Sequence, residues 1–201
     1  MAERKLEVRW LPRQRIERRE SESDGPGMLT GYAITWSEIA EPYPGLLESF
    51  ERGAFADFLA GDPDVFACYA HDTRHLLGRT SSGTFRLQED DVGLAFELDL
   101  PATTMGRDVA ELVRRGDLRG MSIAFVVERE TLEDEGDKIR RVVHAASLYE
   151  ISIVHDPAYR ETSVGFRSAH DVMMELRSRT RAAQDVRLRC VRARLRLLGI
   201  A

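Results

Sequence analysis

The sequence predicts an α+β domain, most simply a closed or nearly closed antiparallel β-barrel with helices packed outside it. Three observations lead there. Short runs of apolar or alternating residues recur from about residue 29 to residue 154, the pattern of strands and hairpins. Turn signals rich in Gly and Pro separate them, such as Asp24-Gly25-Pro26-Gly27 and Pro42-Tyr43-Pro44-Gly45. Two or three stretches read as helix and no internal repeat is visible, so many strands and few helices share one core.

Taken in order, Leu6-Glu7-Val8-Arg9-Trp10 alternates and predicts a first strand or arm. Pro12 and the charged run to Ser23 break that pattern. Residues 29–36 read as a strand, with Gly31 marking a bulge or a close backbone contact. Residues 46–50 predict another strand, followed by a short helix that Gly61-Asp62-Pro63 ends. Val65-Phe66-Ala67-Cys68-Tyr69-Ala70 is an apolar run of the buried-strand type, with His71-Asp72 directly at its end. Residues 76–80, 84–87 and 94–100 predict antiparallel strands and hairpins. Thr104 is placed to cap a helix in which Val109, Leu112 and Val113 form one apolar face and which Gly116 closes. Strands follow over 123–130, 139–145 and 146–154, with a charged loop at 133–138, and Asp156-Pro157-Ala158-Tyr159 ends the sheet. Residues 169–198 are helix-compatible, with scattered apolar positions at Val172, Leu176, Val186, Val191, Leu195 and Leu198.

A chain of 201 residues is long enough for one domain with a real core and a tail. Its 43% hydrophobic and 31% charged residues are those of a soluble globular protein. The net charge of -5 gives no reason to expect nucleic acid as a partner. Arginine gathers at the two ends and leaves an acidic middle. The two cysteines, Cys68 and Cys190, form no metal-type spacing and point to a reducing compartment without a disulfide. The N-terminus lacks an apolar leader and no run approaches a membrane span, which predicts a cytoplasmic protein or one built there into something larger.

Ser122 follows Gly120 near the start of a strand that continues as Ile123-Ala124-Phe125. A serine so placed is either a nucleophile or a local hydrogen-bonding residue. His71 is either a satisfied strand-end histidine or a base that stays neutral near pH 7 and takes a proton from a hydroxyl. A metal reading rests on His71, Asp72 and His75 alone. Glu150 lies within the apolar run Leu148-Tyr149-Glu150-Ile151-Ser152-Ile153-Val154, where a carboxylate is costly unless partnered. Strict alternation puts it on one face with Leu148, Ser152 and Val154. Its partner is either an arginine (Arg79, Arg119 or Arg141) or the imidazole of His71, which it would orient. His155 and Asp156 are alternatives for that orienting role.

Several segments together resemble the prohead (capsid maturation) protease family of tailed bacteriophages, related to the herpesvirus assemblin proteases. They are Gly31-Tyr32-Ala33, Glu51-Arg52-Gly53-Ala54-Phe55, Tyr69-Ala70-His71-Asp72 with Leu77-Gly78-Arg79-Thr80, Arg107-Asp108 to Arg115-Gly116-Asp117, Arg119-Gly120-Met121-Ser122-Ile123-Ala124-Phe125, and Glu150-Ile151-Ser152-Ile153-Val154 with Pro157-Ala158-Tyr159. Positions usually held by Phe-Gly here read Ile123-Ala124. The resemblance implies an assemblin-like barrel with surrounding helices, Ser122 as nucleophile, His71 as base and an acidic third member, carried to Glu150. It implies a serine endopeptidase that needs no cofactor and no metal. Its substrates would be the major capsid protein and scaffold, cleaved in a procapsid assembling in the host cytoplasm.

Self-cleavage and a homo-oligomer are further options, with no nucleic acid or membrane partner expected. The alternative is a non-catalytic assembly or scaffold protein of the same fold. The expected organisation is an N-terminal arm over 1–27, a protease domain over 28–167 and a basic helical tail over 168–201. The tail is either a helix packed on the barrel with its arginines solvated or an electrostatic docking element for an acidic scaffold.

Overall fold

The computed structural model describes residues 6–11, 16–20, 25–36, 38–155 and 169–197. The chain order is β1 (Leu6–Leu11), β2 (Ile16–Arg19), β3 (Met28–Thr35), β4 (Ala40–Tyr43), β5 (Leu46–Phe50), α1 (Ala56–Leu59), β6 (Phe66–Tyr69), β7 (Asp72–Arg79), a 3-10 turn (Thr80–Ser82), β8 (Phe85–Glu89), β9 (Gly93–Asp99), α2 (Thr104–Arg115), β10 (Leu118–Asp134), β11 (Ile139–His155) and α3 (Ala169–Leu197). The fold is mixed α+β and mostly strand, as the sequence predicts.

The expected closed barrel is not what the strands form. Among the described residues they make two separate sheets, one of seven strands around β1-β10-β11-β5-β4 with β6 and β7 attached, and one of four in the order β2-β3-β9-β8. The reason lies in β10 and β11. Each runs 17 residues, far beyond the short strands the pattern suggests, and they pair antiparallel along their length. Such a ribbon has room for different partners at each end. The first part of β11 pairs parallel with β5 (Ile139↔Leu46), and the last part pairs parallel with β6 (Ser152↔Cys68). The predicted strands 139–145 and 146–154 are therefore one element, and β10 begins before Ser122 rather than beside it.

Side chains from both sheets fill the core. Leu29, Ile34, Phe96 and Leu98 meet Phe125, Ile151, Ile153 and Met121 in one buried cluster. Phe50 stacks on Phe55 and meets the edge of Phe125, with ring centroids 5.7 and 5.2 Å apart. Aromatic pairs at such spacing add to the burial of their area, and truncating Phe125 to alanine should cost about 3–5 kcal/mol. In α2, Thr103 and not Thr104 is the cap, accepting the Gly106 N–H at 3.2 Å. Gly116 closes the helix in the left-handed region, φ 79°, which glycine adopts without strain.

The N-terminal segment contributes β1 to the large sheet and β2 to the small one. Arg9 and Arg141 are both buried, and they share the carboxylates of Glu48 and Glu7. Arg141 also reaches Glu130, which accepts in turn from Arg179 of α3. The cluster ties β1, β5, β10, β11 and α3 together. Leu176 of α3 is buried with Leu46 and Ile139, so this part of the tail packs on the sheet, while residues 181–187 are exposed. Among the described residues no helix is long and apolar enough to cross a membrane.

Burial pushes the Glu7 carboxyl up, but the hydrogen bonds and charges of Arg141 and Arg9 outweigh it and hold it at about 2, against an ordinary 4.5. The folded carboxylate thus binds its proton more weakly than the unfolded one. The stability it contributes is present above about pH 4.5 and is lost as the pH falls toward 2. Denaturant unfolding of the Glu7→Gln variant should accordingly weaken less between pH 5 and pH 2 than unfolding of the wild type. Arg141→Met, which takes one buried charge partner from each of Glu7, Glu48 and Glu130, should cost about 3–5 kcal/mol at neutral pH.

Candidate active site

The site is assembled from three neighbouring strands. In β10, Ser122 is directly opposite Ser152 of β11, and Ser152 is in turn opposite Cys68 of β6. Sequence alternation puts Glu150 on a face with Leu148, and here the structure differs. Ala124 pairs with Glu150 but Phe125 pairs with Leu148, so Tyr149 is an extra residue on β11. A bulge of this kind re-aims the side chains on either side of it. Leu148 joins the core with Ile151 and Ile153, while Glu150 and Ser152, two apart, share the opposite face.

His71 reaches this face from the turn between β6 and β7. Tyr69 pairs with Asp72, which leaves Ala70 and His71 as a two-residue loop. Both have positive φ, 54° and 60°. Two successive left-handed positions match the right-handed twist of a hairpin but normally call for Asn-Gly. Alanine and histidine there cost roughly 1–2 kcal/mol each. Both loop N–H groups are tied to β11, Ala70 N–H to Ile153 O at 3.1 Å and His71 N–H to Ser152 Oγ at 3.1 Å.

Three candidate residues are brought together by this arrangement. The His71 ring stands between Glu150, which meets Nδ1, and Ser122, whose Oγ lies 2.7 Å from Nε2. Glu150 is nearly buried and the His71 side chain is 33% exposed, so the ring spans from interior to surface. Ser152 Oγ donates to the second oxygen of Glu150 at 2.9 Å. A carboxylate on Nδ1 fixes the tautomer that leaves Nε2 free to accept a proton. The Ser122 hydroxyl also faces the Arg9 carbonyl of β1 at 3.0 Å, and Ser122 is 0% exposed. With one proton, that hydroxyl donates either to Arg9 O or to His71 Nε2.

Two of the competing arginines are engaged elsewhere. Arg79 is paired with Asp64 and lies over the Phe66 ring, and Arg141 belongs to the Glu48 cluster, so the carboxylate of Glu150 meets an imidazole. His155 is exposed at the end of β11, opposite Leu118. Asp156 lies outside the described residues. Hydrogen bonds from Arg74 hold Asp72 at about 2, and its carboxylate turns to Arg74 and His75. Both His71 ring nitrogens are engaged, and among the described residues no group of three or more His, Cys, Asp or Glu could hold a metal ion. Cys68 is a free, buried thiol. Burial, with the neighbouring Glu150 charge, pushes it up to about 12, so it stays protonated and is no rival nucleophile.

Sequence reasoning did not single out Ser152 or the Arg9 carbonyl. Ser152 carries a signal in retrospect, a hydroxyl in an apolar run two residues from a carboxylate; the Arg9 carbonyl carries none.

The geometry can be set beside known proteins. The bacteriophage T4 capsid assembly protease gp21 is similar in structure, with a TM-score of 0.54 over 77% of this chain and 99% of that one, at 12% sequence identity. That likeness concerns the fold. No curated protein matches the sequence. A family model described as caudovirus prohead serine protease matches residues 14–175. That span takes in every strand of the two sheets except β1, together with α2, His71, Ser122, Glu150 and Ser152, and the chain belongs to the caudovirus prohead serine protease family.

Proposed function

We propose that the chain is a serine endopeptidase that cleaves major capsid and scaffold proteins inside an assembling procapsid, with Ser122 as nucleophile, His71 as general base and Glu150 as the residue that orients His71. The observation that carries this reading is the His71 ring between Ser122 Oγ at 2.7 Å and Glu150. Family membership supports the reaction class, and the assemblin-like descent of the fold belongs to the same reading. His71 Nε2 takes the Ser122 proton as Oγ attacks a peptide carbonyl. The imidazolium is stabilised by Glu150 and then protonates the leaving amine. Water, deprotonated by the same nitrogen, releases the acyl group from Ser122.

Substrate has to reach a serine that the backbone of β1 covers. The Arg9 carbonyl, 3.0 Å from Ser122 Oγ, occupies ground that a scissile carbonyl would need. In this reading β1 yields before an external chain binds, and self-cleavage within the arm over 1–27 is one way for it to do so. The protease domain is then 28–167, and the basic tail over 168–201 is held by its packed part while its exposed part, with Arg181 and Arg187, faces a partner in the procapsid.

Co-expression of the full chain with capsid and scaffold proteins, followed by intact-mass measurement, tests the proposal. Defined fragments of those proteins are expected. Ser122→Ala should abolish them, a loss on the order of 10^6-fold for a nucleophile, at a stability cost of about 1 kcal/mol. Undiminished cleavage by that variant would overturn the nucleophile assignment, and a wild type that cleaves neither protein would favour the non-catalytic assembly reading. Glu150→Gln should lower the maximal rate by about 10^4-fold if its role is to set the tautomer. An unaltered rate in that variant moves the role elsewhere.

A further inference from the structure

We propose that Ser152 is a positioning residue of this site, a side chain that couples the location of the His71 loop to the orientation of the Glu150 carboxylate. The inference rests on the reading of His71, Ser122 and Glu150 as catalytic and adds a fourth, non-reacting member to them.

Ser152 is 0% exposed and sits between Ser122 and Cys68 in a row across three strands. A hydroxyl in that setting is unfavourable unless its hydrogen-bonding capacity is used. Here it is used twice, and the chemistry of the partners fixes both directions. A peptide N–H only donates, so Ser152 Oγ accepts from His71 N at 3.1 Å. The hydroxyl proton is then free for Glu150 Oε2 at 2.9 Å, which accepts it as a carboxylate. The other carboxylate oxygen is thereby left to the ring.

The loop makes this coupling consequential. Ala70 and His71 are held in left-handed conformations by two bonds to β11. The Ala70 bond goes to a backbone carbonyl, that of Ile153, which any residue at 153 would supply. The His71 bond goes to a side chain, so it depends on the identity of residue 152. Without that hydroxyl, the strained turn loses the anchor at the histidine itself, and Glu150 loses its hydroxyl donor and keeps the weaker Cys68 thiol. Both errors displace the imidazole relative to Ser122 and leave the surfaces that would hold substrate untouched. Misplacement by about 1 Å costs on the order of 100-fold in rate.

The test compares Ser152→Ala, Ser152→Cys and Ser152→Thr in the full chain, with two readouts. The first is kcat and KM on a capsid-derived peptide. We expect kcat to fall about 10- to 100-fold in Ser152→Ala, with KM within about twofold. Ser152→Thr, which keeps the hydroxyl, should restore most of the rate, and Ser152→Cys, a weaker donor and acceptor, should fall between. The second readout needs no turnover. In a Ser122→Ala background, the downfield proton resonance of His71 Nδ1–H should be sharp with Ser152 or threonine at 152, and broadened or lost with alanine. A resonance and a kcat both unchanged in Ser152→Ala overturn the proposal, as does a Ser152→Thr variant that is folded but as slow as the alanine one. If Ser152→Ala does not fold, Ser152→Cys decides, and a wild-type kcat and resonance there overturn it. An enzyme that cleaves nothing yet shows the resonance change would refute the protease reading while leaving the positioning role intact.

Discussion

The antiparallel pairing of β10 with β11 is the constraint on which the rest of the structure depends. It places Ser122 opposite Ser152, and β11 then hands the same row on to Cys68 of β6. A slip of one residue would turn Ser122 toward the core and Ile123 toward the site, because side chains alternate with a period of two. Burial forbids that slip. Met121, Ile123 and Phe125 all lie in the core cluster, and Ile151 and Ile153 lie there with them. The hydrophobic effect that packs one face therefore aims the polar groups on the other. Of the register shifts along this pair, the bulge at Tyr149 is the one that falls between Leu148 in the core and Glu150 at the site.

The β6–β7 turn completes the site at a conformational cost. A hairpin with Ala-His in place of Asn-Gly gives up backbone comfort so that an imidazole stands at its tip. Strain of this kind persists when neighbouring structure over-determines it. The neighbouring structure here is β11, which supplies Ile153 O, Ser152 Oγ and Glu150 to two consecutive loop residues. Local propensity and the geometry of the site disagree at this turn, and the tertiary contacts prevail.

The buried charge cluster has a different part. Arg9, Glu48, Arg141, Glu7 and Glu130 are not in the site, yet they fix β1 against β10 and so hold the Arg9 carbonyl over Ser122. Buried ion pairs of this sort are weak evidence for net stability, since their desolvation offsets much of their attraction. Their clearer effect is on geometry: an arm of six residues is held in one register against the strand that carries the serine.

The residues that meet at the candidate site could be proposed from the sequence because each is chemically conspicuous in its local setting. A histidine at the end of an apolar run, a serine after glycine and a carboxylate inside an apolar strand are anomalies of patterning, and patterning is local. The α+β class, the span of α2 and its closing Gly116 were legible for the same reason. The division into two sheets in place of the expected closed barrel was not, because closure is a matter of which strand edges meet, and a 17-residue ribbon that pairs with β5 at one end and β6 at the other leaves no mark in local periodicity. Which of Arg79, Arg119, Arg141 or His71 would partner Glu150 was likewise undecidable from composition. Arg141 is 141 positions along the chain and Glu7 is near its start, yet they bond at 2.7 Å, and it is this long-range pairing, with Arg79 taken by Asp64, that leaves Glu150 to the imidazole. Local chemistry determined which residues are able to act; the register of distant strands, set by burial of their opposite faces, decided which of them meet.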